Sequence, residues 1–176
     1  MVYCIYTVGW ASLWLRLIIF FTPMPCKYHI RTFVEGGYYH IFNRGVEKRP
    51  ICRDAEDYNA FLYFLESAVS LPDPNKRQRR MNFYDYITMQ AFCLMPNHFH
   101  FLLQQKRNIT IDKFMQSFIV AYTMYFNKKY KRVGSIFQGT YKAKQVTEDE
   151  YLLHVSRYIH ENPRDIGQDP LTYPYS

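Results

Sequence analysis

The sequence predicts an α+β fold, one mainly antiparallel sheet with helices packed on one face. Three observations carry that expectation. Strand-like alternation and helix-like periodicity succeed one another in the order strand, helix, strand, strand, helix, strand, helix. Short stretches with Gly, Pro and Asn separate the segments. The chain has 176 residues, 48% of them hydrophobic, which suits one domain with a core of its own.

Residues 1–24 stand outside the pattern. They are apolar and aromatic, with Arg16 as the only charge. The charge lies mid-segment, no basic cluster precedes the apolar run, and no small-residue cleavage site follows it. An upstream extension, with Met24 as the true start, is therefore preferred to a signal anchor or a membrane helix. The domain is expected over 33–176.

Tyr38 to Gly45 reads as the first strand, preceded by Gly36-Gly37 and closed by the turn Asn43-Arg44-Gly45. His40 within it reads as structural or as a phosphate contact, with metal ligation as the alternative. Asp54 to Ser70 is the first helix: Tyr58, Phe61, Leu62, Phe64, Leu65 and Val69 recur at helical spacing and Asp54 suits the N-cap. A loop with the basic run Lys76-Arg77-Gln78-Arg79-Arg80 follows, read as solvated or as touching phosphate. Tyr84 to Leu94 and His98 to Gln104 form a hairpin around Met95-Pro96-Asn97. Thr110 is expected to cap the helix Ile111 to Tyr130, which Gly134 ends. Ser135 to Val146 reads as a strand or strand-like loop. Thr147 and Glu150 form a capping box opening the last helix, Glu148 to Glu161, which Pro163 stops. Together this is a ferredoxin-like or RRM-like sandwich.

Charge and rings point to a polyanion. The net charge is +7, with 17 Tyr and 14 Phe. Between Gln105 and Val146 there are nine basic residues, Lys106, Arg107, Lys113, Lys128, Lys129, Lys131, Arg132, Lys142 and Lys144, against Asp112 alone. So local an excess favours nucleic acid; a basic surface over an aromatic core is the plainer reading. Cys4, Cys26, Cys52 and Cys93 form no Cys-x-x-Cys pair. A disulfide framework or zinc knuckle is not indicated, and a reducing cytoplasm is the expected compartment.

The chemistry centres on His98-Phe99-His100. In a strand the two imidazoles project to one face and Phe99 and Phe101 to the other, and two imidazoles side by side make half of a divalent-metal site. Two satisfied surface histidines are the alternative. On the last helix Tyr158 and Asn162 are four apart and share one edge, with His154 one turn earlier. A marginal core tyrosine and a helix-terminal asparagine would explain them as well. Taken together, a metal on His98, His100 and the Asn162 oxygen could polarise a phosphodiester while Tyr158 attacks phosphorus. Tyr122 and Tyr125 lack an Asn or Gln four residues on and read as core or groove lining.

Four motifs in order carry a family resemblance over Phe33 to Tyr175. They are Gly36-Gly37-Tyr38-Tyr39-His40-Ile41-Phe42-Asn43-Arg44-Gly45, Met95-Pro96-Asn97-His98-Phe99-His100-Phe101-Leu102-Leu103, Gly134-Ser135-Ile136-Phe137-Gln138-Gly139, and Tyr158-Ile159-His160-Glu161-Asn162-Pro163. The chain resembles the single-tyrosine HUH transposases, and among them the REP-associated tyrosine transposases. The resemblance implies metal ligation by His98, His100 and Asn162, and Tyr158 as the nucleophile that takes the 5′ phosphate. It implies Mg²⁺ or Mn²⁺, and cleavage and rejoining of single-stranded DNA folded into hairpins. Thr140 stands where many relatives have arginine, which bears on a phosphate contact. A monomer or homodimer, no membrane partner, and a place at the nucleoid are expected. Arg44, Lys106, Arg107, Lys128, Lys129, Lys131, Arg132, Lys142 and Lys144 are the expected nucleic-acid contacts. Two rivals remain: an inactive descendant that grips hairpin DNA or RNA, and, more weakly, a structural zinc protein, which lacks a convincing fourth ligand because Cys93 lies on a different strand.

Overall fold

A computed structural model describes residues 32–72, 75, 81–107 and 111–176. The expected N-terminal extension, the basic run 76–80 and the Thr110 cap lie outside them. The elements are β1 (Tyr38–Arg44), α1 (Ala55–Val69), β2 (Ile87–Leu94), β3 (His98–Gln105), α2 (Ile111–Tyr130), β4 (Lys142–Val146) and α3 (Asp149–Glu161). The strands form one antiparallel sheet in the order β2-β3-β1-β4, the arrangement a split β-α-β-β-α-β chain produces. Among the described residues no helix is long and apolar enough to cross a membrane.

Alternation along the strands creates two unlike faces. Tyr39 and Ile41 of β1, Phe99, Phe101 and Leu103 of β3, and Ala143 of β4 pack against Phe61 and Leu65 of α1 and Phe114 and Phe118 of α2. The intervening residues point the other way. There Ala91, Cys93, Leu102 and Val146 meet Val155 and Ile159, so α3 lies across the opposite face. Two helices thus occupy the expected face and the third does not. Its register explains why: Val155 and Ile159, one turn apart, are its only buried residues, a narrow stripe suited to the small patch beside the histidines.

Three boundaries differ from expectation. Residues 84–86 form a turn, with Tyr86 N and Ile87 N both donating to Phe83 O (2.9 Å), so β2 starts later. Ser135 to Tyr141 is irregular: Gly134 and Gly139 adopt φ +88° and +67°, the Ser135 hydroxyl bonds the Phe137 carbonyl, and only Phe137 bridges to Gly45. Helix α3 is preceded by Glu148 at the N-cap, without a side-chain cap, so the Thr147 box is not formed. Asp54 does cap α1, its Oδ1 accepting from Asp57 N at 3.0 Å. Gly45 is required where β1 ends, because a Cβ there would lie 2.0 Å from the Arg49 carbonyl oxygen. That close approach folds the chain back so that Gly45 N donates to Asn97 O (2.8 Å), tying β1 to the start of β3.

Candidate active site

The second face of the sheet carries the polar residues. Register places Arg44 opposite His98, Phe42 opposite His100, Lys142 opposite Phe42 and Lys144 opposite His40, all on the α3 side. Strand geometry thus delivers three histidines and three cations to one surface.

The His98 and His100 rings lie 5.1 Å apart at 90°. Asn97 orients the first. Its amide nitrogen donates to Lys48 O (3.3 Å), which turns its oxygen toward His98 Nδ1 at 2.7 Å. That oxygen can only accept, so the proton is on Nδ1 and Nε2 keeps its lone pair. His100 Nδ1 is engaged 2.8 Å away by His40 Nε2. Both outer nitrogens of the pair are therefore spoken for within the protein, as in histidines that ligate metals. Burial pushes His100 down to about 3, helped by the charges that His40 and His98 would carry, and His40 down to about 4, helped by Lys144. Burial also lowers His98, opposed by the hydrogen bond that the protonated ring would donate to the Asn162 side chain and by Asp165. The rings are held neutral at pH 7, the form that binds a cation.

Helix α3 brings the expected tyrosine to this surface. The Tyr158 ring lies 5.6 Å from His100 and 6.0 Å from His40, edge-on to both, and is 48% exposed. Asn162 is buried one turn later; its Nδ2 donates to Tyr158 O (2.7 Å), leaving the amide oxygen as the end able to ligate. The expected set of His98, His100, Asn162 and Tyr158 is thus brought together. Two imidazoles and one carboxamide oxygen fit a divalent cation in donor type but supply no negative charge. Among the described residues no group of three or more His, Cys, Asp or Glu is placed to hold a metal. Cys93, not a convincing fourth ligand for the zinc alternative, lies across from His100, fully buried beside Val155 and Ile159. Burial raises its thiol to about 11.

The other candidates disperse. Lys106 donates to Tyr84 O (2.8 Å) at the far end of β3, with Arg107 beside it. Lys128 lies in the last turn of α2 and Lys131 and Arg132 just beyond it, at the end of a helix on the other side of the sheet. The Lys129 Nζ lies 2.7, 3.0 and 2.9 Å from Asp54, Glu56 and Asp57, which meet its charge locally. Thr140 is exposed. Tyr122 is fully buried, donating to Ile51 O at 2.6 Å, and the Tyr125 hydroxyl donates to Asp57 Oδ1 (3.3 Å); both belong to the α1–α2 side. Sequence reasoning missed the roles of His40 and Asn97. The parity that pairs His98 with His100 also puts His40 on their face once β1 and β3 are neighbours, and that adjacency was the available signal.

Residues 79–162 match the family model described as "Transposase IS200 like". That span runs from before β2 to the end of α3 and contains His98, His100, Tyr158 and Asn162. The fold is similar to the structure of a REP-associated tyrosine transposase bound to a REP hairpin, at 12% identity over 85% of this chain and 81% of that one, with a TM-score of 0.59. A crystal structure from Deinococcus radiodurans R1 aligns over 76% of this chain and 95% of its own at 14% identity, with a TM-score of 0.47. No protein of curated function matches the chain. The chain is thus similar to IS200-like transposases over residues 79–162, and its four-stranded α+β fold is similar to that of the hairpin-bound transposase.

Proposed function

We propose that the chain is a metal-dependent endonuclease and strand transferase that cleaves and rejoins single-stranded hairpin DNA through a covalent 5′-phosphotyrosine at Tyr158. The observation that carries this is the approach of the half-exposed Tyr158 ring to within 5.6 Å of the His100 ring. The match of residues 79–162 to the IS200-like transposase model and a fold similar to that of a transposase bound to a REP hairpin support the reaction class and the DNA form.

His98, His100 and the Asn162 oxygen would hold Mg²⁺ or Mn²⁺. Bound there, the cation supplies Lewis-acid polarisation of the scissile phosphate. A neutral donor set would hold such ions weakly, and the negative charge of the DNA phosphate would help to retain them. Tyr158 loses its phenolic proton as its Oη bonds phosphorus. The bond from phosphorus to the 3′ oxygen of the preceding nucleotide breaks, and that oxygen leaves as a 3′-hydroxyl after taking up a proton. Attack by a 3′-hydroxyl on the phosphotyrosine reverses the step and joins a strand. Arg44, Lys142 and Lys144, on the same face, attract and align the backbone. Asn162 also bonds the Tyr158 carbonyl, so one side chain ties the helix that bears the nucleophile to the metal site.

The test is incubation with hairpin DNA and Mg²⁺ or Mn²⁺, read on a denaturing gel. A protein–DNA band lost in Tyr158→Phe and in His98→Ala is expected. A salt-sensitive gel shift without that band would overturn catalysis and leave the hairpin-binding descendant.

A further inference from the structure

We infer that His40 is a positioning residue of the metal site: its Nε2 accepts the Nδ1 proton of His100 and so keeps the His100 Nε2 lone pair available to a divalent cation. The inference rests on the metal-site reading above and adds to it a residue from β1.

Two ring nitrogens meet at 2.8 Å, with ring centroids 5.0 Å apart and planes at 29°. Both histidines are buried, so water does not substitute freely at this contact. A hydrogen bond between two neutral imidazoles contains one proton: one nitrogen is N–H and the other bare. With the proton on His100 Nδ1, His100 Nε2 is bare and able to ligate. With the proton on His40 Nε2, His100 carries its own proton on Nε2 and cannot ligate through it. The tautomer of His40 thus decides whether His100 is a ligand.

Its neighbours fix the pair in place. Phe42 lies 5.0 Å from the His40 ring and 5.7 Å from the His100 ring, limiting rotation of both. Ligating histidines are commonly oriented by carboxylates or carbonyls. Here His98 is oriented by the Asn97 amide and His100 by an imidazole, both neutral. That choice adds no negative charge to a face that carries Arg44, Lys142 and Lys144, whereas an aspartate at position 40 would draw Lys144 toward itself, since the two are directly paired across β1 and β4.

The first test needs no variant. Long-range ¹H–¹⁵N correlation NMR on the metal-free chain reads which nitrogen of each histidine is protonated. His100 protonated at Nδ1 and bare at Nε2, with His40 bare at Nε2, is the expected result; His100 protonated at Nε2 overturns the inference. The second is Mn²⁺ titration of the same chain, followed by the electron paramagnetic resonance of free Mn²⁺. His40→Phe is expected to weaken binding by about ten- to a hundredfold, and His40→Gln, whose Oε1 can accept near the same place, to restore most of it. Mn²⁺ bound by His40→Phe as tightly as by wild type overturns the role of His40 and leaves the metal site standing. Binding unchanged in His100→Ala overturns the metal site and the inference with it.

Discussion

Two tyrosines with opposite surroundings separate chemistry from stability. Tyr122 is enclosed: its hydroxyl donates to Ile51 O at 2.6 Å, with Cys52 Sγ at 3.4 Å, and its pKa is pushed far up, mainly by burial. Replacing it with Phe leaves a buried carbonyl without this donor, at a cost of about 1–2 kcal/mol. For a chain of this length that lowers the melting temperature by roughly 2–8 °C. The ring, which fills the space beside Phe61 at 4.9 Å, stays. Tyr158 is 48% exposed and meets His40 and His100 through its ring edge, which Phe retains. Tyr158→Phe should therefore move stability by less than about 0.5 kcal/mol. Covalent capture of ³²P-labelled hairpin DNA, beside thermal melts, reads both quantities. Tyr122→Phe should melt lower and still form the adduct; Tyr158→Phe should melt as wild type and form none. An adduct in Tyr158→Phe, or its loss in a Tyr122→Phe protein that is still folded at the assay temperature, refutes the assignment of the nucleophile.

Acidification should destabilise the metal-free protein through the site histidines. Their folded pKa values, about 4 for His40 and about 3 for His100, lie below the ordinary 6.5, so the unfolded chain binds protons that the folded one refuses. The stability held in this way is complete above about pH 6.5 and drains as the pH falls toward 4, by about 2 kcal/mol per histidine between pH 7 and 5; a melting temperature flat over that interval contradicts it. For hairpin DNA, Lys142→Ala and Lys144→Ala should each reduce the slope of log affinity against log salt by about 0.7–0.9. Lys129→Ala should leave the slope unchanged and lower the melting temperature, because its partners are carboxylates; equal slope changes at all three positions would show that the basic surface is not confined to the histidine face. Deleting residues 173–176 removes the bonds Leu94 N to Tyr175 O (2.9 Å) and Tyr173 Oη to Leu94 O (2.7 Å), and the Tyr58–Tyr175 stack at 4.0 Å. A loss of about 2–4 kcal/mol is expected, read by urea denaturation; a midpoint unchanged by the deletion would mean that the tail only lies on the edge of β2.

Periodicity made the element order legible because each strand and helix buries one regular stripe, and that stripe survives as spacing in the chain. The ends were less legible where local and tertiary bonds compete. Ser135 to Tyr141 has strand-like composition, yet Ile136 and Phe137 are spent as plugs under Gly45 and beside Phe99 rather than in a ladder. The box at Thr147 satisfies a local rule, but β4 reaches Val146, whose burial against α3 commits the backbone before a cap at Thr147 can form. Position in space was least legible. Lys129 and Lys142 look alike in sequence; one meets three carboxylates and the other lies on the histidine face.

The same parity explains why the site depends on a helix that packs so little. Odd positions of β1 and β3, Tyr39, Ile41, Phe99, Phe101 and Leu103, bury the core that α1 and α2 cover. The even positions between them hold His40, Phe42, His98 and His100. A strand cannot move one set without the other, because a slip of one residue exchanges the faces. The core therefore enforces the positions of the histidines to within side-chain rotation, and Asn97 and His40 restrict that rotation. Tyr158 enjoys no such enforcement: α3 is anchored chiefly by Val155 and Ile159, and by the Asn162 side chain at its end. The chemistry proposed at Tyr158 requires a phenol that can approach phosphorus, transfer it and turn away from the incoming strand. In the proposed reaction, a rigid pair of histidines on the sheet and a tyrosine on a lightly anchored helix divide those demands between two elements, with Asn162 as the residue common to both.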